Sequence, residues 1–335
     1  MPAAAALTAE RYYAQCDDAN PNGKDSGTAF LGGPKTSGPF DGLQAEYACV
    51  PFAHVGLVRL PDEVSDDQAI LISDIFPTGY FGADIANVHD GSTVVIFGCG
   101  PVGQFTIASC KLLGAGRIFA VDTIASRLQM ASEQGAETID FNSEDPVETI
   151  LELTNGIGVD KAIDAVGVDA VHPSKGPAHK AAQDKEFQTE VKEIVSKSKP
   201  DGDNWHPGDA PSQVVKWAVE SLAKVGTLSV IGVYPEAMQT FPLGNFMEKN
   251  LTLRAGNCNH RKYVPKLVDL ARMGQVNPAE VLTQAEPITS AIEAYKLFDR
   301  RAPGWVKVEL KPAVADVGDV RYPKLIDPAQ LHPSS

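Results

Sequence analysis

The chain has 335 residues, 43% of them hydrophobic, which is enough for two domains with a sizeable core and too apolar for a disordered protein. Its formal charge of −14 and pI near 4.9 argue against nucleic acid or an anionic membrane as partner, since no dense Lys/Arg stripe offsets the repulsion. Five scattered cysteines (Cys16, Cys49, Cys99, Cys110, Cys258) without a C-x-x-C pair suggest no disulfide framework or zinc ribbon; no window approaches a membrane span, and MPAAAALTAERYY lacks a secretory signal's basic and apolar regions, so a reducing cytoplasm is expected.

Before residue 86 the chain is rich in Gly, Pro and Asp (PNGKDSG, LGGPKTSGPFDG, PDEVSDD), with the short β-like runs LQAEYACV and AHVGLVRL between. This reads as part of a small β domain. From Thr93 onward, apolar runs alternate with amphipathic segments, and strands are predicted at 93–97, 117–121, 137–140, 159–164, 226–231 and 251–255. Six strands suit a complete doubly wound sheet. Asp145 reads as an N-cap before Pro146, with Glu148 placed to complete a capping box.

The first strand runs into Gly98, Gly100 and Gly103 and then the periodic segment Val102 to Leu113. Strand, G-x-G-x-x-G and helix together make a dinucleotide fingerprint. Gly98 permits the tight turn, Gly100 the approach of a pyrophosphate, and Gly103 close packing of helix on strand. The helix start, at Pro101 and Val102, faces the phosphates. Asp122 closes the next strand about 20 residues on, where a carboxylate accepts from the adenine ribose hydroxyls and repels a 2′-phosphate. NAD is therefore favoured over NADP, with Arg127 placed to stack on adenine or to soften that preference.

Residues 168–211 form an insert far longer than an ordinary strand-to-helix connection, with a charged helix predicted from Ala178 to Lys197. Following the fourth strand at the sheet's carboxyl edge, it lies either over the cofactor or on the surface as decoration. Beyond residue 261 come a helix (RKYVPKLVDLARMG), another near ITSAIEAYKLF and a strand (WVKVELK). They have no place in a completed sheet, so residues 1–86 and 262–335 are expected to make one discontinuous domain around a dinucleotide-binding domain at 87–261. About the last 20 residues read as a surface tail.

The segments SDIFPTGYFGAD, VVIFGCGPVG, GIGVDKAIDAVG, LSVIGVYP and GNCNHRKYVPKL resemble the zinc-containing medium-chain alcohol dehydrogenases, in their formaldehyde dehydrogenase-like branch. The resemblance runs from about Tyr12 to Leu310. It implies an α/β fold: a six-stranded Rossmann sheet plus a smaller, discontinuous and truncated β-rich catalytic domain. It implies that Thr78, Val233, Pro235 and Asn257 line the nicotinamide pocket, that Asp74 and Thr78 belong to the catalytic site, and that Asp74 stands where the family has its third catalytic zinc ligand. Read from its own neighbourhood, Asp74 is a carboxylate at a helix N-terminus.

The family's other two zinc ligands and its proton relay precede YYAQC in an N-terminal stretch that is absent, as though the chain began roughly 90 residues late on the family's usual domain size. Of the structural zinc cysteines, Cys16 alone matches. A catalytic zinc takes about three protein ligands, so zinc is implied by the resemblance and opposed by the ligand set. His54, Cys49 and His89 are candidate recruits; Thr78, Tyr80 and His54 are candidate donors to a substrate oxygen. The leading expectation is an NAD(H)-dependent oxidoreductase of a small aldehyde or primary alcohol. Its alternatives are a zinc-independent reductase of activated carbonyls, enones or quinones, and a non-catalytic NAD-binding relic or interaction subunit. A homo-oligomer, dimer or tetramer, is expected through the strand LTLRAGN at the sheet edge.

Overall fold

Alternation of apolar runs with amphipathic segments produces a six-stranded parallel sheet at the centre of the molecule. The computed structural model describes residues 12–312 except 17, 34, 39, 46, 181, 182 and 199–205; the predicted C-terminal surface tail lies outside the described residues. The strands are β1 (Thr93–Phe97), β2 (Arg117–Asp122), β3 (Glu137–Asp140), β4 (Val159–Asp164), β5 (Leu222–Val230) and β6 (Thr252–Ala255). They pair in the order β3-β2-β1-β4-β5-β6, the doubly wound order with its switch between β1 and β4.

β1 shows why a central strand reads as a continuous apolar run. Val95 and Phe97 enter a core with Val121, Trp217 and Leu228, whereas Val94 and Ile96 enter another with Ile118, Ala120 and Ile163. Successive side chains thus bury on opposite faces, each under a helical layer. The helices α1 (Asp66–Ile72), α2 (Ile75–Ile85), α3 (Pro101–Leu112), α4 (Ala125–Glu133) and α5 (Pro146–Leu153) lie along the first half. Gly79 lets α2 sit against α3, because a Cβ there would come within 2.7 Å of the Phe105 and Thr106 backbone.

Further on come α6 (Asp184–Ser198), α7 (Gln213–Ser221), α8 (Leu243–Glu248), α9 (His260–Arg272), β7 (Gln284–Pro287), α10 (Ala291–Asp299) and β8 (Val308–Lys311). A third core joins Leu71, Ile72, Phe76 and Tyr80 to Tyr263, Leu267, Val281 and Val306, so segments on both sides of the sheet in sequence pack together. β7 and β8 pair in parallel, Gln284 with Val308 through Pro287 with Lys311. Among the described residues no helix is long and apolar enough to cross a membrane.

Three local expectations need correction. Among the described residues the β-like runs 43–50 and 53–60 contain no strand; Ala53–Gly56 forms a single helical turn instead. Their alternation is genuine, but a strand exists only with a partner to complete its ladder, and no described strand pairs with them. The insert helix starts at Asp184 rather than Ala178. Asp145 does cap α5, accepting from the Val147 and Glu148 amides at 3.0 and 3.2 Å, but Glu148 stays exposed and closes no box. A full capping box forms at Ser65 and Gln68 before α1.

Asp164, wholly buried at the end of β4, fixes the switch region. Its Oδ1 accepts from the Val166 and Gly167 amides, each at 2.9 Å, and its Oδ2 from the Tyr234 hydroxyl at 2.7 Å. Burial pushes its carboxyl above the ordinary range, and these three donors pull it back. Asp164→Ala leaves three donors without their acceptor. Denaturant unfolding is expected to show a loss of roughly 3 kcal/mol or more.

Candidate functional site

The glycine turn lies at the carboxyl end of β1, beside the switch point. Gly98 leaves the strand at φ +90°, and a Cβ there would come 2.6 Å from Val166 Cγ2. Gly103 is under a harder constraint, since its Cβ would fall 1.9 Å from the Gly98 carbonyl oxygen. Gly100 is different: a Cβ would meet only the Arg127 guanidinium, at 3.7 Å. The protein's own packing therefore explains Gly98 and Gly103 but not Gly100. Pro101 and Val102 open α3 directly after it.

Asp122 is buried at the end of β2 and stitches the turn together. Its Oδ2 accepts from the Cys99 amide at 2.7 Å, and its Oδ1 from the Thr123 and Ile124 amides at 2.7 and 3.0 Å. An ionised carboxylate offers about four acceptor positions, so roughly one remains for a ribose hydroxyl. Arg127, in the first turn of α4, lies over Gly100; burial lowers its pKa, the Asp122 charge raises it and the neighbouring Arg301 lowers it. Arg301 arrives from the far end of the chain, at φ +54° just after α10, and its Nη2 donates to the Asp169 carbonyl at 3.4 Å. Two guanidiniums thus converge near the glycine turn, and only Arg127 was legible in the sequence.

Val233 is exposed beyond β5, and its carbonyl accepts from the Val168 amide at 2.9 Å. Pro235 is half-buried two residues on. The Asn257 Nδ2 donates to Thr28 Oγ1 at 2.7 Å, which ties the N-terminal segment to the end of β6. The insert is anchored at the β2–β3 side of the sheet: the Ser174 amide donates to Asn142 Oδ1 at 2.8 Å, and Asn142 Nδ2 donates to Thr123 Oγ1, next to Asp122, at 2.6 Å. Its helix α6 is held to α7 by buried Glu190, which accepts from the Ser212 hydroxyl at 2.8 Å.

Asp74 immediately precedes α2 but makes no cap bond with its side chain. Its Oδ1 lies 2.9 Å from His260 Nε2, at the start of α9, and 3.3 Å from Thr78 Oγ1. The Thr78 hydroxyl is 2.9 Å from the Asp74 carbonyl oxygen. The His260 hydrogen bond, with Lys307 adding positive charge, holds the Asp74 carboxyl below its usual range against the opposing effect of burial. Cys258 lies beside them, and burial pushes its thiol up to about 12, which keeps it neutral. His260 and Lys307 were not singled out from sequence, because nothing in their local pattern marks them.

The other candidates fall elsewhere. Tyr80, a candidate donor to a substrate oxygen, is buried, and its hydroxyl accepts from Lys266 Nζ. Cys49 and His54 are exposed on the N-terminal segment, and Cys16 is an unpaired, half-buried thiol. His89 belongs to the opposite, amino-terminal edge of the sheet, in a cleft with Ser92, Asp160 and Lys161. Among the described residues no three His, Cys, Asp or Glu donors gather around Asp74. Asp74 and the His260 imidazole are two zinc-type donors, but no third donor groups with them among the described residues and Lys307 adds positive charge beside them, so the residues present do not fit a three-ligand catalytic zinc there.

Residues 101–174 match the family model for zinc-binding dehydrogenases. The chain is 34% identical over 302 residues to a zinc-type alcohol dehydrogenase-like protein of Bacillus subtilis, covering 89% of this chain and 73% of that one. It is 32% identical over 272 residues to the glutathione-independent formaldehyde dehydrogenase of Pseudomonas aeruginosa, covering 79% of this chain and 64% of that one. Among solved structures, an alcohol dehydrogenase from Thermus sp. ATN1 superimposes with a TM-score of 0.65 at 30% identity, over 84% of this chain and 68% of the other.

Proposed function

We propose that this chain, which belongs to the zinc-type alcohol dehydrogenase-like family, is an NAD(H)-dependent oxidoreductase that moves a hydride between nicotinamide and a small aldehyde or primary alcohol. The observation that carries the reading is Gly100, a glycine that the protein's own packing does not require, between Asp122, Arg127 and the start of α3. NAD, when bound, supplies the hydride acceptor, and in reduced form the donor. Gly98, Gly100, Gly103, Pro101 and Val102 would hold its pyrophosphate, with Arg127 and Arg301 adding positive charge. Asp122 would take the ribose hydroxyls and disfavour a 2′-phosphate. Thr78, Val233, Pro235 and Asn257 would border the nicotinamide. The insert, tied to Thr123 through Asn142, would then lie beside the adenine half.

At the reacting carbonyl no step is assigned to zinc. The Asp74–His260 pair supports a second reading in the same class, a zinc-independent reductase of activated carbonyls, enones or quinones. Asp74 would orient the His260 ring, and a hydrogen bond from that ring to the substrate oxygen would steady its developing negative charge. The test is NADH oxidation at 340 nm across small aldehydes, enones and quinones, with and without chelator. Chelator-resistant turnover that falls about 100-fold in Asp74→Ala, at unchanged zinc content, is the expected result. Turnover and bound zinc lost together would make Asp74 a metal ligand after all; tight NADH binding without turnover would leave a non-catalytic binding protein.

All four residues of β6 are exposed at the sheet edge, which supports pairing of that edge across a two-fold axis. Sedimentation equilibrium would read a mass twice that of the chain or a higher multiple of it.

A further inference from the structure

The insert contains a second polar cluster, independent of the dinucleotide groove and of Asp74. His172 stands in the loop that opens the insert, His179 lies seven residues on, and Asp184 is the first residue of α6. One donor atom of each lies within 4.8 Å of the other two. His172 Nε2 and Asp184 Oδ1 are 3.1 Å apart, within ion-pair reach should the imidazole be protonated, yet their angles make no hydrogen bond and both buried atoms lack a hydrogen-bond partner. The His179 ring meets the His172 ring edge-on, with centroids 4.9 Å apart. The His172 ring packs in the same manner near Phe187 of α6, whose side chain is fully buried, so one side of the cluster is fixed by the core.

Two buried polar atoms facing each other without a hydrogen bond are costly unless something between them satisfies both. A single divalent cation does so. We propose that His172, His179 and Asp184 bind zinc and thereby pin the opening loop of the insert to the start of α6. Two imidazoles and a carboxylate are a donor set that zinc accepts, with a fourth position left for water. Zinc–nitrogen and zinc–oxygen distances of about 2.0–2.2 Å put tetrahedral donors roughly 3.3 Å apart. The His172–Asp184 separation already matches that spacing, and the exposed His179 side chain can rotate to close the remainder. Lys180, which follows His179, is turned onto Asp145 at 3.3 Å.

The test is titration of the chelator-stripped full chain with zinc alone by calorimetry, and with cobalt alone by visible absorption. One equivalent per chain is expected, weakened at least tenfold by His179→Ala and by Asp184→Asn, and unchanged in Asp74→Asn. His179 is exposed, so His179→Ala is expected to fold normally, and near-unchanged circular dichroism would show it. Zinc should also slow hydrogen exchange in residues 172–184 of the wild-type chain but not in His179→Ala. Absence of zinc binding, or an affinity equal to wild type in the His179→Ala, Asp184→Asn double variant, would overturn the proposal. So would binding that disappears in Asp74→Asn while surviving in the double variant.

Discussion

Gly100→Ala is expected to unfold with the wild-type midpoint while losing at least tenfold in NADH affinity, and Gly103→Ala to lose both. The contrast follows from what each new methyl group would touch. At position 100 it meets the Arg127 guanidinium at 3.7 Å, an ordinary contact with the far end of a flexible side chain. The cost therefore appears only when a pyrophosphate must approach the backbone there, as about 1.4 kcal/mol or more for a tenfold effect. At position 103 the methyl falls 1.9 Å from the Gly98 carbonyl oxygen, and α3 must move away from β1 before the chain can accommodate it. Overpacking of that kind costs roughly 3 kcal/mol, or a fall of roughly 6–12 °C in Tm for a domain of this size. NADH fluorescence titration beside thermal unfolding checks both. Equal affinity in Gly100→Ala and wild type would remove the dinucleotide reading at its foundation, because Gly100 is the one glycine of the three that the apoprotein does not need.

What sequence could reveal here depended on whether a residue's meaning was local. Gly98, Gly103, Asp122 and the six strands were readable because turn, close approach and buried periodicity are properties of short, contiguous segments, and the sheet order then follows from the alternation of strand and helix. Arg301, His260 and Lys307 were not readable, because each acquires its place through packing between remote elements. Arg301 reaches Asp169 across 132 residues, and His260 reaches Asp74 across 186. The runs 43–50 and 53–60 misled for a related reason, since alternation shows which faces a strand would have but not whether a partner lies beside it. The His172, His179 and Asp184 cluster also escaped notice, its spacing matching no familiar metal motif.

Asp122→Asn is expected to weaken NADH binding, narrow the preference for NADH over NADPH at least tenfold, and cost about 1–3 kcal/mol of stability. The isosteric change is disruptive because every partner of Asp122 so far is a donor. Oδ1 receives two backbone amides and Oδ2 a third, so either orientation of an asparagine sets its NH₂ group against a main-chain N–H. If NH₂ replaces Oδ2, the Cys99 amide loses its acceptor, and the turn between Gly98 and Gly100 loosens. If it replaces Oδ1, the Thr123 and Ile124 amides lose theirs. Removing the negative charge also removes the repulsion of a 2′-phosphate, and Arg127, no longer opposed by a carboxylate, becomes its natural partner. Asp122→Ser separates the two effects. A small hydroxyl fills less of the site and cannot hold the amides, but it carries no charge; the coenzyme preference should narrow to the same degree as in Asp122→Asn while the stability loss differs. A preference that stays fixed in both variants would mean that Asp122 serves only the glycine turn, and that discrimination between the two coenzymes lies with Arg127 and Arg301.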